Sequence, residues 1–257
     1  MILFRKNSKT AAALFAGSAA LFSLGNAPLA IAQPPAQTPA SGAIPQTRVP
    51  REPMPPMVPA DTLASPSTQQ KLTGTDGFIQ RWLILEPIPA NELTQNAVQA
   101  EVKKEYFPNQ FTVVPRSGDK ITVGDAQLTW HGEDTKNYNI DLYQFARALG
   151  KPTTNVLFWA VTVINSPQEM KDVRLAIGSN AASVWWLNGE ELIGIYGDRQ
   201  TVIDDGVSKR LTLKKGANVL RAAIVNGGGA TDFCARFLDS NDKPIKGLSA
   251  SLPNLMP

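Results

Sequence analysis

The feature that most constrains this chain is one dipeptide, Asn188-Gly189, set between two apolar runs, Ser183 to Leu187 and Glu190 to Ile195. A tight type I′ turn needs positive φ at both central positions, and Asn-Gly adopts it at low cost, so the pair predicts a β-hairpin. With a side-chain period of two, Val184 and Trp186 face one side of the sheet, Trp185 and Leu187 the other. Adjacent tryptophans on opposite faces leave open whether one lies outside the core. The stretch from Ser179 to Gly206 is therefore read as the organising element, with further strands laid beside it.

Those strands are legible along most of the chain. Phe78 to Leu85 reads as the first, stopped by Pro87 and Pro89. Asn91 then caps one short helix, in which Leu93, Ala97, Val98 and Val102 recur at helical spacing. From Phe111 onward the pattern is strand-like. Ile121 to Val123 and Ala126 to Trp130 flank a turn at Gly124-Asp125, and Ile140 to Leu149 fits either a helical turn or a strand. Val156 to Ile164 is apolar on both faces, as expected of a central strand. Asp172 to Ile177, Arg210 to Leu213, Val219 to Val225 and Asp232 to Leu238 complete the set, and the tail beyond them fades into Ser, Pro and Asn. Short strands with turn signals about every 8–12 residues indicate a β-sandwich or barrel and argue against a βαβ fold.

The first residues read differently. Arg5, Lys6 and Lys9 precede an apolar run from Ala11 to Leu24, and Ala30-Ile31-Ala32 fits a small-x-small cleavage site, so residues 1–32 are expected to be a secretory signal peptide. Asn26 and Pro28 interrupt the run before it reaches the roughly 20 residues of a spanning helix. Residues 33–72 hold ten of the 20 prolines and almost no aromatics, which predicts a disordered polyproline-like linker. The globular domain is expected over residues 73–257, about 185 residues, enough for a core of its own. The leader carries three of the 25 basic residues and none of the 22 acidic ones. The remainder is thus near neutral, and no basic field argues for nucleic acid or an anionic membrane. The single cysteine, Cys234, excludes an internal disulfide and reads as a small buried apolar residue.

Five segments stand in one order: Phe78–Pro89 (FIQRWLILEPIP), Leu128–Asp134 (LTWHGED), Val184–Ile193 (VWWLNGEELI), Leu213–Asn226 (LKKGANVLRAAIVN) and Asp232–Leu248 (DFCARFLDSNDKPIKGL). Over roughly residues 76–248 they resemble the galactose-binding-like jelly-roll domains of bacterial secreted glycosidases and acetylxylan esterase-type proteins. The resemblance implies an all-β jelly-roll sandwich and, by association, carbohydrate. One departure is Glu86, which stands where the family pattern has glycine before proline.

Candidate chemistry is sparse. Acyl transfer by serine needs a base, and the one histidine, His131, lies in the expected turn TWHGED. A distant Ser–His131–Asp triad is compatible with the residue types; a solvated loop histidine is the simpler reading. No G-x-S-x-G elbow is present, the nearest string being Gly247 to Ser251. Glu133/Asp134, Glu190/Glu191 and Asp204/Asp205 are carboxylate pairs by count, but neighbours on a strand point to opposite faces and make poor glycosidase pairs. Asp204-Asp205-Gly206 could offer oxygens to a structural Ca²⁺, although a plain turn is the simpler reading; no other cofactor is expected.

Sugar binding asks instead for an exposed aromatic face with amide, carboxylate or guanidinium groups nearby. Trp185, Tyr196, Asp198 and Arg199 could supply that set from one hairpin and its loop, with Asn226 to Asp232 adding polar backbone. Trp186, Trp82, Trp130 and Trp159 are assigned to the core. The expectation is a secreted or periplasmic, non-catalytic binding module for carbohydrate or a cell-envelope component, without nucleic acid and without a membrane anchor once the leader is removed. An acetylxylan esterase-like hydrolase and an envelope protein-interaction module are the alternatives.

Overall fold

The computed structural model describes residues 63–90, 95–197 and 199–253; the expected signal peptide and most of the expected linker lie outside them. In chain order the elements are β1 (Leu63–Ala64), β2 (Gln70–Leu72), β3 (Arg81–Leu85), β4 (Ile88–Pro89), α1 (Gln95–Glu101), β5 (Lys120–Val123), β6 (Ala126–Thr135), β7 (Ile140–Asp141) and α2 (Leu142–Ala148). They continue with β8 (Val156–Ser166), β9 (Met170–Asn180), β10 (Ala182–Leu187), β11 (Glu190–Ile195), β12 (Gly206–Val207), β13 (Leu211–Leu213), β14 (Gly216–Asn226), β15 (Asp232–Leu238) and β16 (Ser249–Ser251). Asn188 and Gly189 take φ of 52° and 88°, the positive pair a type I′ turn requires.

The strands form two antiparallel sheets. The larger runs β1-β6-β3-β8-β14-β10-β11, with β4 and β16 also on β8, β2 on β16, and β5 on β6. The smaller runs β12-β9-β15-β7, with β13 on β9. Side chains alternate as the two-residue period demands. Trp82, Ile84, Phe158, Trp185, Leu187 and Ile224 from the large sheet meet Leu175, Ile177, Phe233 and Phe237 from the small one in the inter-sheet core. Trp82, Trp185 and Phe233 pack edge-on at 5.0 to 5.9 Å between ring centroids, the arrangement that their quadrupoles favour.

The other face of the large sheet is also covered. Leu83, Leu85, Leu157, Trp159, Val184 and Trp186 pack beneath Val98, Val102, Phe107, Phe111 and Val113, which belong to α1 and the irregular segment after it. Val184/Trp186 and Trp185/Leu187 therefore face opposite sides, as read from the sequence, and both sides are buried. Each large side chain buried this way contributes roughly 1.5–3 kcal/mol. The chain is an all-β sandwich with one extra cover.

Four boundaries differ from the sequence reading. Strands β1 and β2 lie inside the span read as linker, because Arg81 holds it: its guanidinium forks onto Asp134 at 2.8 Å per bond and donates to the Thr68 carbonyl at 2.7 Å. The tail forms β16, paired with both β2 and β8. Ile140 to Leu149 resolves into β7 and a second helix, α2, whose N-cap Asp141 accepts from the Gln144 amide at 2.8 Å. The stretch from Phe111 to Asp119 is irregular cover, and regular pairing resumes only at Lys120.

Candidate functional site

The four residues expected to bind a sugar do not assemble into an exposed platform. Trp185 is fully buried, and its indole N–H donates to the Ser183 hydroxyl at 2.9 Å. It corrects the expectation of a stacking surface: the small sheet covers the face on which Trp185 sits. Tyr196 is half-buried and folds back over Gly194, where an added Cβ would meet the phenol oxygen at 2.7 Å. Arg199 is engaged with Asp205 at 2.7 Å, and Asp198 lies outside the described residues.

The loop that follows is fastened to the small sheet. Thr201 donates to the Asp232 carboxylate at 2.5 Å, and Asn139 donates to the other oxygen of that carboxylate at 2.5 Å. Asp204 accepts a fork from Arg236 at 2.9 and 2.5 Å. Between these ties the backbone lies on Gly178 of β9, where a Cβ would stand 2.1 Å from the Val202 carbonyl. The loop is thus held in shape while Val202 and Ile203 project, at 57% and 44% exposed. Asp204 and Asp205, considered for Ca²⁺, are each committed to a guanidinium. Among the described residues no group of three His, Cys, Asp or Glu side chains could hold a metal ion.

A groove of about 420 Å³ lies between the tip of the β10–β11 hairpin and β13. Its volume falls in the range of small-molecule sites. Leu192 and Leu211 offer an apolar part; Glu190, Glu191, Thr212 and Lys214 bring carboxylate, hydroxyl and ammonium groups to its walls. The tight Asn-Gly turn builds one wall. Asn188 braces it by donating to the Asn218 side chain at 3.2 Å and accepting from the Val219 amide at 2.9 Å. Glu191 also pairs with Lys103 at 3.1 Å across an exposed edge. The sequence pattern marked the turn but not the groove, because the opposite wall comes from Lys209 to Lys214, distant in the chain.

His131 lies mid-strand in β6, not in a turn, since β6 pairs with β3 through this whole stretch. Its Nε2 stands 3.4 Å from Glu86, its ring packs edge-on against Phe145, and Lys151 approaches the same carboxylate at 3.0 Å. Burial would raise the Glu86 pKa, but hydrogen bonds from Lys151, His131 and the Thr129 amide outweigh it and hold the carboxyl below its ordinary range. Glu86 is thus a fastening point between β6 and the segment around Lys151. Serine is not among the hydrogen-bond partners His131 has within the described residues, so the arrangement for acyl transfer is not formed there. Two residues along the strand, Glu133 is pushed up to about 7 by burial and by Asp134 beside it.

No protein-family model and no curated protein matches the sequence. Among solved structures, a PA14 sugar-binding domain from an RTX adhesin is 12% identical with a TM-score of 0.37, over 68% of this chain and 99% of that one. The PA14 domain of the antifreeze protein MpAFP is 11% identical with a TM-score of 0.40, over 73% and 96%. A β-glucosidase from Kluyveromyces marxianus in complex with glucose is 15% identical with a TM-score of 0.33, over 66% of this chain and 19% of that one. Likeness at this level assigns neither family nor ligand. No helix among the described residues is long and apolar enough to cross a membrane.

Proposed function

We propose that this chain is an exported, non-catalytic binding module that takes a carbohydrate or another polyhydroxylated cell-envelope ligand in the groove beside the hairpin tip. The observation that carries the reading is the groove itself. Donors and acceptors of both charges stand around an apolar strip, on a turn braced by Asn188 and Asn218. Hydroxyl-rich ligands need paired donors and acceptors together with an apolar surface for their C–H faces, and a preformed wall spares the cost of ordering it. The galactose-binding-like resemblance of the VWWLNGEELI segment belongs to this reading, as does export by the leader. The test is a glycan-array and polysaccharide pull-down with the full chain, repeated with Glu190→Ala and Lys214→Ala. Retention of a glycan by the wild type, weakened at least tenfold by either substitution, is expected. No retention across all glycans, or retention indifferent to both substitutions, overturns it.

A second reading has an observation of its own. Val202 and Ile203, on a loop that is otherwise fastened down, and Val207 of β12 just after it are exposed close together in sequence, which favours a protein partner in the envelope. Pull-down of an envelope protein that is lost in Ile203→Asp, with glycan retention absent, would favour that partner over the sugar.

A further inference from the structure

The outer face of the large sheet carries a buried cation that has no counter-charge among the described residues. Arg221 of β14 is 2% exposed, with Trp186 opposite it on β10 and Val161 opposite it on β8. Among the described residues its guanidinium forms no ion pair; Nη2 donates to the Val113 carbonyl, and Nε is buried with no acceptor. Burial alone pushes its pKa down to about 10. Buried charges in folded proteins are normally paired, because an uncompensated one carries its full desolvation cost. An orphaned buried donor therefore calls for an explanation, a missing ion among them.

The surroundings say what kind of group would fit. Trp159, on the same face, has an indole N–H that is also buried without a partner. Its ring stacks on Trp186 at 5.5 Å, and Phe111 stands 5.6 Å from both rings. Donors are in excess here and acceptors are short, the signature of a site for an acceptor-only anion. A carboxylate is such a group, and its two oxygens match the guanidinium fork. The cover above is held to the sheet by side-chain packing more than by backbone hydrogen bonds. Among the described residues the backbone of 104–115 bonds only within itself and to α1, apart from the Val113 carbonyl held by Arg221.

We propose that Arg221 anchors a carboxylate-binding site beneath the 104–115 cover, in which a ligand carboxylate replaces the Val113 carbonyl. The site shares no residue with the hairpin groove, so it does not depend on what that groove binds.

The test compares sodium acetate, sodium glucuronate, glucose and sodium chloride at matched ionic strength, using thermal melting and tryptophan fluorescence of the full chain. Acetate or glucuronate should raise the melting temperature by several degrees beyond chloride and change the emission of Trp159 and Trp186. Glucose alone should leave the emission unchanged. A response to glucuronate that exceeds the response to acetate identifies the sugar acid as the source of the group. Arg221→Met, which fills the same space without charge, should abolish the response, and Arg221→Lys should weaken it at least tenfold. No effect of either carboxylate on the wild type overturns the proposal even if both variants fail to fold, as does an equal effect on wild type and Arg221→Met.

Discussion

Glu133 should make this domain less stable as the pH rises through neutrality. Its carboxyl sits in β6 opposite Trp82, forms no hydrogen bond or ion pair among the described residues, and is pushed up from 4.5 to about 7 by burial first and Asp134 second. The folded state therefore holds a proton that the unfolded state releases between those two values. Stability is full below about 4.5 and is lost as the pH climbs through about 7. At about 1.36 kcal/mol for each tenfold change, the displacement corresponds to about 3 kcal/mol. For a domain of this size that is roughly 6–12 °C in Tm. Glu133→Gln removes the titration but keeps the shape. The assay is urea and thermal denaturation of both proteins at pH 5, 6, 7 and 8. Asp134 and the rest of the chain are common to both, so the difference between them reports Glu133. The variant should gain about 2–3 kcal/mol on the wild type between pH 5 and pH 8. A difference that stays constant within about 0.5 kcal/mol over that range would refute the reasoning, whatever its sign at any one pH.

Two further outcomes are expected. Gly178→Ala should cost about 1–3 kcal/mol and loosen residues 199–205, since its Cβ would stand 2.1 Å from the Val202 carbonyl and push that loop off β9; urea denaturation and faster amide exchange of Thr201 to Asp205 check it. Cys234, buried, with its thiol pushed up to about 12 by burial first and by Asp232 and Asp204 next, should resist an aromatic disulfide reagent at pH 8 and react only at the unfolding rate. Rapid labelling of the native protein would show the thiol is reachable.

The fold was readable where local chemistry decides it. Asn188-Gly189 and the alternation around it fixed the hairpin and the facing of all four of its central side chains. What the pattern could not convey was the second cover. Val98, Val102, Phe107, Phe111 and Val113 carry no strand period of their own, and the sheet residues they cover are scattered along the chain, from Leu83 and Leu85 upstream to Trp186 far downstream. The cover makes Trp186 a core residue and the small sheet makes Trp185 one, so the reason for expecting an exposed ring disappears. The end of the span read as linker, residues 63–72, and the tail pair as strands for a related reason. Residues 63–72 are ordered by Arg81 and Asp134, charged groups that no hydrophobic count records. The groove depends on two separate segments meeting, and only three-dimensional structure brings Glu190 and Lys214 into the lining of one groove.

Strand β16 hydrogen-bonds to β2 on one side and to β8 on the other, so residues near 250 close a seam begun near 70. A nascent chain emerging one residue at a time cannot complete that seam until almost all of the domain has been released. Cutting the chain at Gly247 should leave the β8 edge unpaired at β16, with Ile164 and its neighbours facing solvent.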